Sequence, residues 1–163
     1  MIKELNLVNR DLILNSTRLL ILMSKFETKK SFRLNINKIM LFDFYMKFPN
    51  TMIPNRDDLL NKEDFNEYYS FFHWQPNIDE YHLYIRYLLS KELVNQINID
   101  NDFCYQINQK GKEVLENINT LYATELHKIA VYIKKELSTL SESRIEQSII
   151  DMSLKKDRND FIL

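Results

Sequence analysis

From Asn77 to Lys91 the apolar residues Ile78, Tyr81, Ile85, Leu88 and Leu89 recur three and four apart, which predicts a helix with one inward stripe. Asn77 suits its N-cap, and Asp79 and Glu80 favour its first turn. The period then falls to two. Val94-Asn-Gln-Ile-Asn-Ile99 and Phe103-Cys-Tyr-Gln-Ile107 alternate as strands, and Asp100-Asn101-Asp102 between them tolerates the left-handed backbone of a tight hairpin. Gly111, the single glycine of the chain, falls at Lys110-Gly111-Lys112, where strand gives way to helix and a missing side chain permits close packing.

Elsewhere helical spacing dominates. Asn9 to Phe26 predicts a central core helix with Leu12, Leu19, Leu20, Met23 and Phe26 inward, ended by Thr28 to Ser31. Phe32-Arg-Leu34 reads as a short extended piece, and Ile36 to Lys47 as a second helix whose narrow wet face is Lys38, Asp43 and Lys47. Asp43 and Lys47, an i, i+4 pair, read as solvated decoration worth roughly a few tenths of a kcal/mol. Phe48 to Lys62 holds Pro49 and Pro54 among Asn50, Asn55, Asp57 and Asp58 and predicts the longest loop. A short aromatic helix, Asp64 to Phe72, follows, and Trp74 reads as a plug between two lobes.

Past the hairpin, Ile118, Tyr122, Leu126, Ile129, Ile133, Leu137 and Leu140 mark one face of a long helix over Gln109 to Thr139. Ser143-Arg-Ile-Glu146 fits a capping box for a final helix with Ile145, Ile149 and Met152 inward. Leu154 to Leu163 reads as a charged tail whose Phe161-Ile-Leu163 end is disordered or docks. The expected class is mainly α (α+β): an N-terminal helical lobe over 1–72, a helix–hairpin–helix module over 73–118, and C-terminal helices and tail over 119–163, together one compact domain.

The order helix, hairpin, glycine-marked helix resembles a winged-helix module over Asn77 to Ile118. Tyr105-Gln-Ile107-Asn-Gln-Lys-Gly111-Lys-Glu-Val114-Leu115 is similar to the exit from the wing in many bacterial winged-helix proteins. It departs from them at Glu92, where a glycine often closes the recognition helix, and at Asn108, where threonine is usual. A module that reads DNA needs Lys and Arg against phosphates and Arg, Asn or Gln toward base edges. Here the outward positions at helical spacing are Glu80, Tyr84, Tyr87 and Lys91, with Arg86 on one flank, and Asp79 to Ile107 nets three negative charges. Such a wing repels phosphates. Aromatic residues with low net charge suit the centre of a protein interface instead, the alternative being that Tyr84 and Tyr87 pack beneath neighbouring helices.

Composition narrows the chemistry. With 163 residues and 45% hydrophobic content the chain can bury one core, and a net charge of -1 gives no global field to recruit nucleic acid or anionic membrane. The lone Cys104 cannot form an internal disulfide and reads as a small buried residue in a reducing cytoplasm. The most apolar run, Leu12 to Met23, is interrupted by Asn15-Ser-Thr-Arg18, so no membrane span is expected and the protein is assigned to the cytoplasm. One glycine cannot build a glycine-rich phosphate loop, and His73, His82 and His127 lie in separate elements without metal-ligand spacing. Asp57-Asp58 and Glu63-Asp64 are adjacent carboxylates in a loop rather than an opposed pair. The expectation is a protein that is not an enzyme and carries no cofactor or metal.

Four features together resemble a known family. They are Leu19-Leu-Ile-Leu-Met23; Leu34-Asn-Ile-Asn-Lys-Ile-Met-Leu-Phe-Asp43-Phe44-Tyr, which looks like that family's "leu-asp-tyr" helix; the prolines after it; and Tyr87-Leu-Leu-Ser-Lys-Glu-Leu-Val94 leading into the hairpin. The chain is similar in these, over about Leu19 to Leu140, to the small middle components of bacterial ABC-three-component systems, which include Lamassu-type defence operons. It departs from them at Phe48, where a histidine is expected, and in the loop Pro49 to Asn61, which lacks the family's glycines and "leu-his-pro". The resemblance implies an accessory subunit that joins an SMC/Rad50-like ATPase and an effector, often a nuclease, to sense phage or plasmid DNA. Partner contact would then run through Glu80, Tyr84, Tyr87 and Lys91, with the 48–62 loop as a second surface. The competing expectations are a transcription regulator that dimerises through Gln109 to Thr139 and reads DNA, and an antitoxin-like inhibitor.

Overall fold

The computed structural model describes residues 2–27, 32–54 and 76–160, with side chains described from residue 9 to residue 155 within those spans. Helix α1 (Ile2–Ser24) is followed by α2 (Ile36–Lys47), the single turn α3 (Pro49–Met52) and α4 (Ile78–Ser90). Strands β1 (Val94–Ile99) and β2 (Asp102–Ile107) then form an antiparallel hairpin, and α5 (Gln109–Glu116), α6 (Leu121–Tyr132) and α7 (Glu142–Asp160) complete a mainly helical α+β fold. The expectations for Thr28 to Ser31, residues 55–62, Asp64 to Phe72, His73, Trp74 and Phe161 to Leu163 fall outside the described residues.

α1 changes character along its length. Its first described turns are largely exposed, but Leu19 to Met23 are buried on every side, because α2, α4, α6 and β2 all pack around that run. Just beyond it Phe26 stacks on Phe32 and on Phe42, with centroids 4.7 and 5.5 Å apart, which ties the end of α1 to the following extended segment and to α2. That segment also joins the sheet. The Leu34 carbonyl accepts the Tyr105 amide at 3.0 Å and Asn35 bridges Cys104, so β2 is flanked by β1 on one side and by Leu34-Asn35 on the other. The Asn35 side chain then caps α2 by accepting the Lys38 amide at 3.0 Å.

Three sequence expectations are corrected by caps and breaks. The expected loop from Phe48 opens with the helical turn α3, because the fixed φ of Pro49 suits a first helical position. The expected single helix over Gln109 to Thr139 is two, since Asn117 closes α5 and the Thr120 hydroxyl starts α6 by accepting the Ala123 amide at 3.0 Å. Hydrophobic spacing alone cannot see a change of axis. α6 ends in a widened π turn, Ile133–Leu137, that keeps Ile133 and Leu137 buried. At α7 the cap is Ser141 rather than Ser143, its oxygens accepting the amides of Arg144 and Ile145 at 3.4 and 3.1 Å. Ile145 and Ile149 are buried as their spacing predicts, and Leu154 to Asp160 continue the helix instead of forming a loose tail.

Candidate interaction surface

α4 and the hairpin carry the candidate surface, and a buried polar cluster fixes how α4 sits. Arg18 on α1 donates through Nε and Nη2 to the two oxygens of Asp43 on α2, at 2.6 and 2.9 Å. The Tyr81 hydroxyl on α4 donates to Asp43 Oδ2 at 2.7 Å, and Lys47 Nζ stands 3.7 Å from the same oxygen. Three helices therefore meet at one carboxylate. This corrects the expectation that Asp43 lies on a wet face: its side chain is 0% exposed. α2 is apolar nearly all round, so an i, i+4 charge pair could not reveal which side meets water.

The ionisation of the cluster follows from its geometry. Burial alone would raise the Asp43 carboxyl, but Arg18, Lys47 and the Tyr81 hydroxyl outweigh it and hold the group below the ordinary carboxylate range. Burial would likewise lower Arg18, and Asp43 more than compensates. Tyr81 is pushed far above an ordinary phenol by burial and by the adjacent carboxylate, so it remains a donor.

Of the four predicted contact residues, Glu80 and Lys91 are exposed, Tyr87 is half-buried and Tyr84 is buried. The outward placement of Tyr84 is thus corrected. Tyr81, Tyr84, Ile85 and Leu88 stand at i, i+3, i+4 and i+7, so Tyr84 lies in the middle of the inward stripe. Its ring meets Tyr81 edge-on at 5.6 Å, and its hydroxyl accepts from Asn15 Nδ2 at 3.1 Å and reaches Glu80 at 3.5 Å. Tyr87 lies under Lys91, whose Nζ is 5.6 Å from the ring centroid. The face that meets solvent is instead Asp79, Glu80, His82, Leu83, Arg86 and Ser90. Ile78, expected inward, overhangs the first turn, and both it and Leu83 are more than two-fifths exposed. Leu83 is the signal that sequence reading missed: a leucine flanked at i-1 and i+3 by His82 and Arg86.

The neck between α4 and the hairpin explains both departures from the usual wing pattern. The amides of Glu92 and Leu93 return to the carbonyls of Leu89 and Leu88 at 2.9 and 3.0 Å, which closes α4 in a Schellman turn and places Glu92 at φ 58°. Glu92 therefore holds the conformation that favours glycine. Asn108 caps α5 by accepting the Gly111 amide at 3.0 Å, as threonine would, and its Nδ2 also donates to the Glu92 carbonyl at 2.8 Å. Gly111 is needed where it stands, since a Cβ there would lie 2.3 Å from the Leu93 carbonyl oxygen.

The hairpin turns at Asp100 and Asn101, with φ 50° and 65°, the two-residue type I′ geometry that their residue types favour. Its acids are held by groups outside the Asp79 to Ile107 window. Asp100 pairs with Arg33, Glu92 pairs with Lys110, and Asp102 accepts from Asn35 Nδ2 at 2.7 Å. Cys104 is buried against this face, and burial first, Asp102 second, push its thiol up. Phe103 near the tip is 56% exposed.

His82 is exposed and His127 half-buried; burial and then Lys25 hold the His127 imidazole below its ordinary range. Among the described residues, no three His, Cys, Asp or Glu side chains are grouped to hold a metal ion, and no helix is long and apolar enough to cross a membrane.

A family model described as ABC-three component (ABC-3C) system Middle Component 2 matches residues 13–158. The match runs from the middle of α1 to the last turn of α7 and takes in the buried cluster, α4 and the hairpin. No curated protein and no solved structure matches the chain.

Proposed function

The chain belongs to the Middle Component 2 family of ABC-three component systems, and from that membership we propose that it is a non-catalytic accessory subunit of a bacterial anti-phage or anti-plasmid defence complex. In this reading it bridges or regulates an SMC/Rad50-like ATPase and a nuclease effector, as in Lamassu-type systems, and it works in the cytoplasm. α4 and the hairpin act as a winged-helix module turned to protein contact. The observation that carries the reading is the family match across nearly the whole chain; what supports α4 as the contact is its exposed Leu83 between Glu80 and Tyr87 on the same helix, and what supports the hairpin is its exposed Phe103. Interface cores are enriched in aromatic residues and arginine and depleted in lysine and acids, which favours Phe103, Tyr87 and Arg86 as the anchors.

Co-purification of the tagged chain with the products of its neighbouring genes tests the proposal. Recovery of a large ATPase subunit is the expected result, and the reading fails if the chain is recovered alone from cells that express the whole operon. A gel shift on its own upstream DNA at two salt concentrations tests the regulator alternative, which demands tight binding with a steep salt slope by the isolated chain.

A further inference from the structure

We propose that the outward face of α4 is a contact between two copies of this chain, which pack α4 against α4 in antiparallel order about a two-fold axis beside Leu83. The inference rests on the reading of α4 as a protein contact, and it names a second copy as the partner of that face.

The rotation of α4 decides which residues form the face. Tyr81, Tyr84, Ile85 and Leu88 are buried, so at about 100° per residue the opposite side of the helix is the row Asp79, Leu83, Arg86 and Ser90. All four are exposed, with Glu80, Tyr87 and Lys91 bordering the row on one side and His82 on the other. Its charges are open. Arg86 Nε donates to the His82 carbonyl at 3.3 Å, and among the described residues no carboxylate pairs with its guanidinium. Asp79 and Glu80 likewise meet no cation there: Asp79 is tied through its backbone amide to the Asn77 side chain, and Glu80 takes only the Tyr84 hydroxyl at 3.5 Å. The hairpin differs, since its Asp100 and the Glu92 at its foot already pair with Arg33 and Lys110.

Spacing selects the occupant. Asp79 precedes Leu83 by one helical turn and Arg86 follows it by nearly one, so acid and base flank the exposed leucine at matching distances. A closed dimer needs a patch complementary to itself. An antiparallel two-fold beside Leu83 meets that demand: it sets the two leucines against each other and places Arg86 of each copy opposite Asp79 of the other, with Glu80 alongside. Parallel packing would align Asp79 with Asp79 and Arg86 with Arg86, and such like charges repel. The orientation is thereby fixed. Each reciprocal pair lies within one turn of the axis, about 5 Å along the helix, so either common crossing angle keeps it in reach.

Size sets the strength. A helix of 13 residues is about 20 Å long, and one such pair buries less than a standard interface, which places the contact in the weak, transient class. Two copies held in one assembly gain from their raised effective concentration.

Sedimentation equilibrium of the isolated full chain, from about 10 μM to about 1 mM, reads the mass directly. The mean mass should rise from 19.7 kDa toward twice that value. Asp79→Arg and Arg86→Asp each turn both reciprocal pairs into repulsions and should each weaken self-association about tenfold or more. Both positions are exposed, and circular dichroism should show both variants folded. An equal mixture of the two should associate at least as strongly as the parent, because each variant then brings the charges that the other lacks. A parent chain that stays at 19.7 kDa throughout overturns the proposal, as does self-association that neither reversal weakens or that the mixture fails to restore. Co-purification separates the two levels: a monomeric chain that still recovers its operon's ATPase refutes the α4 dimer and leaves the subunit reading intact, whereas a dimeric chain that recovers none refutes the reading and leaves the dimer.

Discussion

Two arginine–aspartate pairs tie distant parts of this chain together, and their surroundings make them different objects. Arg18 and Asp43 join α1 to α2 with side chains 8% and 0% exposed, two short hydrogen bonds and a tyrosine hydroxyl completing the carboxylate's shell. Arg33 and Asp100 join the segment before α2 to the hairpin turn with side chains 47% and 70% exposed. In the first pair each group lacks water to fall back on, so losing its partner leaves a buried charge unmet. In the second, water replaces the partner. The comparison teaches that the helical body is held in one arrangement by polar groups that cannot be parted, while the hairpin is steered by groups that can.

The largest expected effect breaks the buried pair one side at a time. Arg18→Met or Asp43→Leu alone should cost about 3–5 kcal/mol in urea unfolding, and the double substitution should recover most of that loss, because no unpartnered charge remains. If the double variant is as unstable as either single one, the cluster contributes packing rather than charge pairing. The pH dependence has a defined sign. Asp43 has a folded pKa below its unfolded value of about 3.9, so its contribution is fully present above that pH and is lost as pH falls through the lower folded value. The stability gap between the parent and Asp43→Leu should hold constant from neutral pH down to about pH 5 and narrow below about pH 4.

Next in size is the neck that joins the two regions. Gly111→Ala drives a Cβ into the Leu93 carbonyl and against Ile107, and the nearest atom is backbone that cannot rotate aside. A loss of about 2–3 kcal/mol is expected in urea unfolding. A change well below 1 kcal/mol would mean that the hairpin shifts freely on the helical body, and the contrast between a locked region and a steered one would have to include the neck on the steered side.

These sites also mark how much of the molecule could be read from its residues. The hairpin was legible because its signals are local: period-two alternation, Asp100-Asn101 at a turn that needs positive φ, and a lone glycine at Gly111. The apolar core of α1, Leu126, Ile129, Ile133 and Leu137 after the hairpin and Ile145 and Ile149 on α7 were legible for the same reason, but Tyr122, expected on the same face, stands 58% exposed in the first turn of α6. The buried cluster was not, since Arg18 and Asp43 lie far apart in sequence and Asp43 is four residues from a lysine, the usual signature of a solvated pair. Tyr84 was misplaced because Glu80, Tyr84, Tyr87 and Lys91 also stand at helical spacing and were read as the outward series, although Tyr84 lies between Tyr81, whose hydroxyl fixes the rotation by reaching Asp43, and Leu88 on the inward stripe. The candidate surface was therefore half legible: Glu80 and Lys91 by periodicity, Leu83 only once a tertiary hydrogen bond had set the phase.

A smaller effect, opposite in sign, sharpens the steered region. Glu92 sits at φ 58°, a conformation that costs a residue with a side chain about 1–2 kcal/mol, and glycine removes that cost while adding unfolded-state entropy of about 0.5–1 kcal/mol. Glu92→Gly also gives up the exposed contact with Lys110 at 3.0 Å, worth at most about 1 kcal/mol. The net expectation is a gain of about 0.5 kcal/mol, read as a rise in the urea midpoint at unchanged slope. A loss greater than about 1 kcal/mol would show that Lys110 and Glu92 form a stronger clamp than their exposure allows.

An effect of similar size falls on the exposed pair, and it decides whether exposure separates the two Arg–Asp pairs. Arg33→Met deletes the same guanidinium as Arg18→Met, but water reaches both sides of this pair, and ordering two mobile side chains offsets much of their attraction. The expected loss is at most about 1 kcal/mol at low salt, and it should shrink further at about 1 M salt, where the screening length falls to about 3 Å. Arg18→Met should show no such salt response, since ions do not reach a carboxylate sealed between three helices. Asp100 bears the turn as well as the charge, so Asp100→Asn, which keeps the left-handed preference, separates the two roles: it should match Arg33→Met in size and salt response. If Asp100→Asn costs several kcal/mol while Arg33→Met costs little, the turn itself and not the ion pair positions the hairpin, and exposure alone no longer explains why one Arg–Asp pair locks and the other only steers.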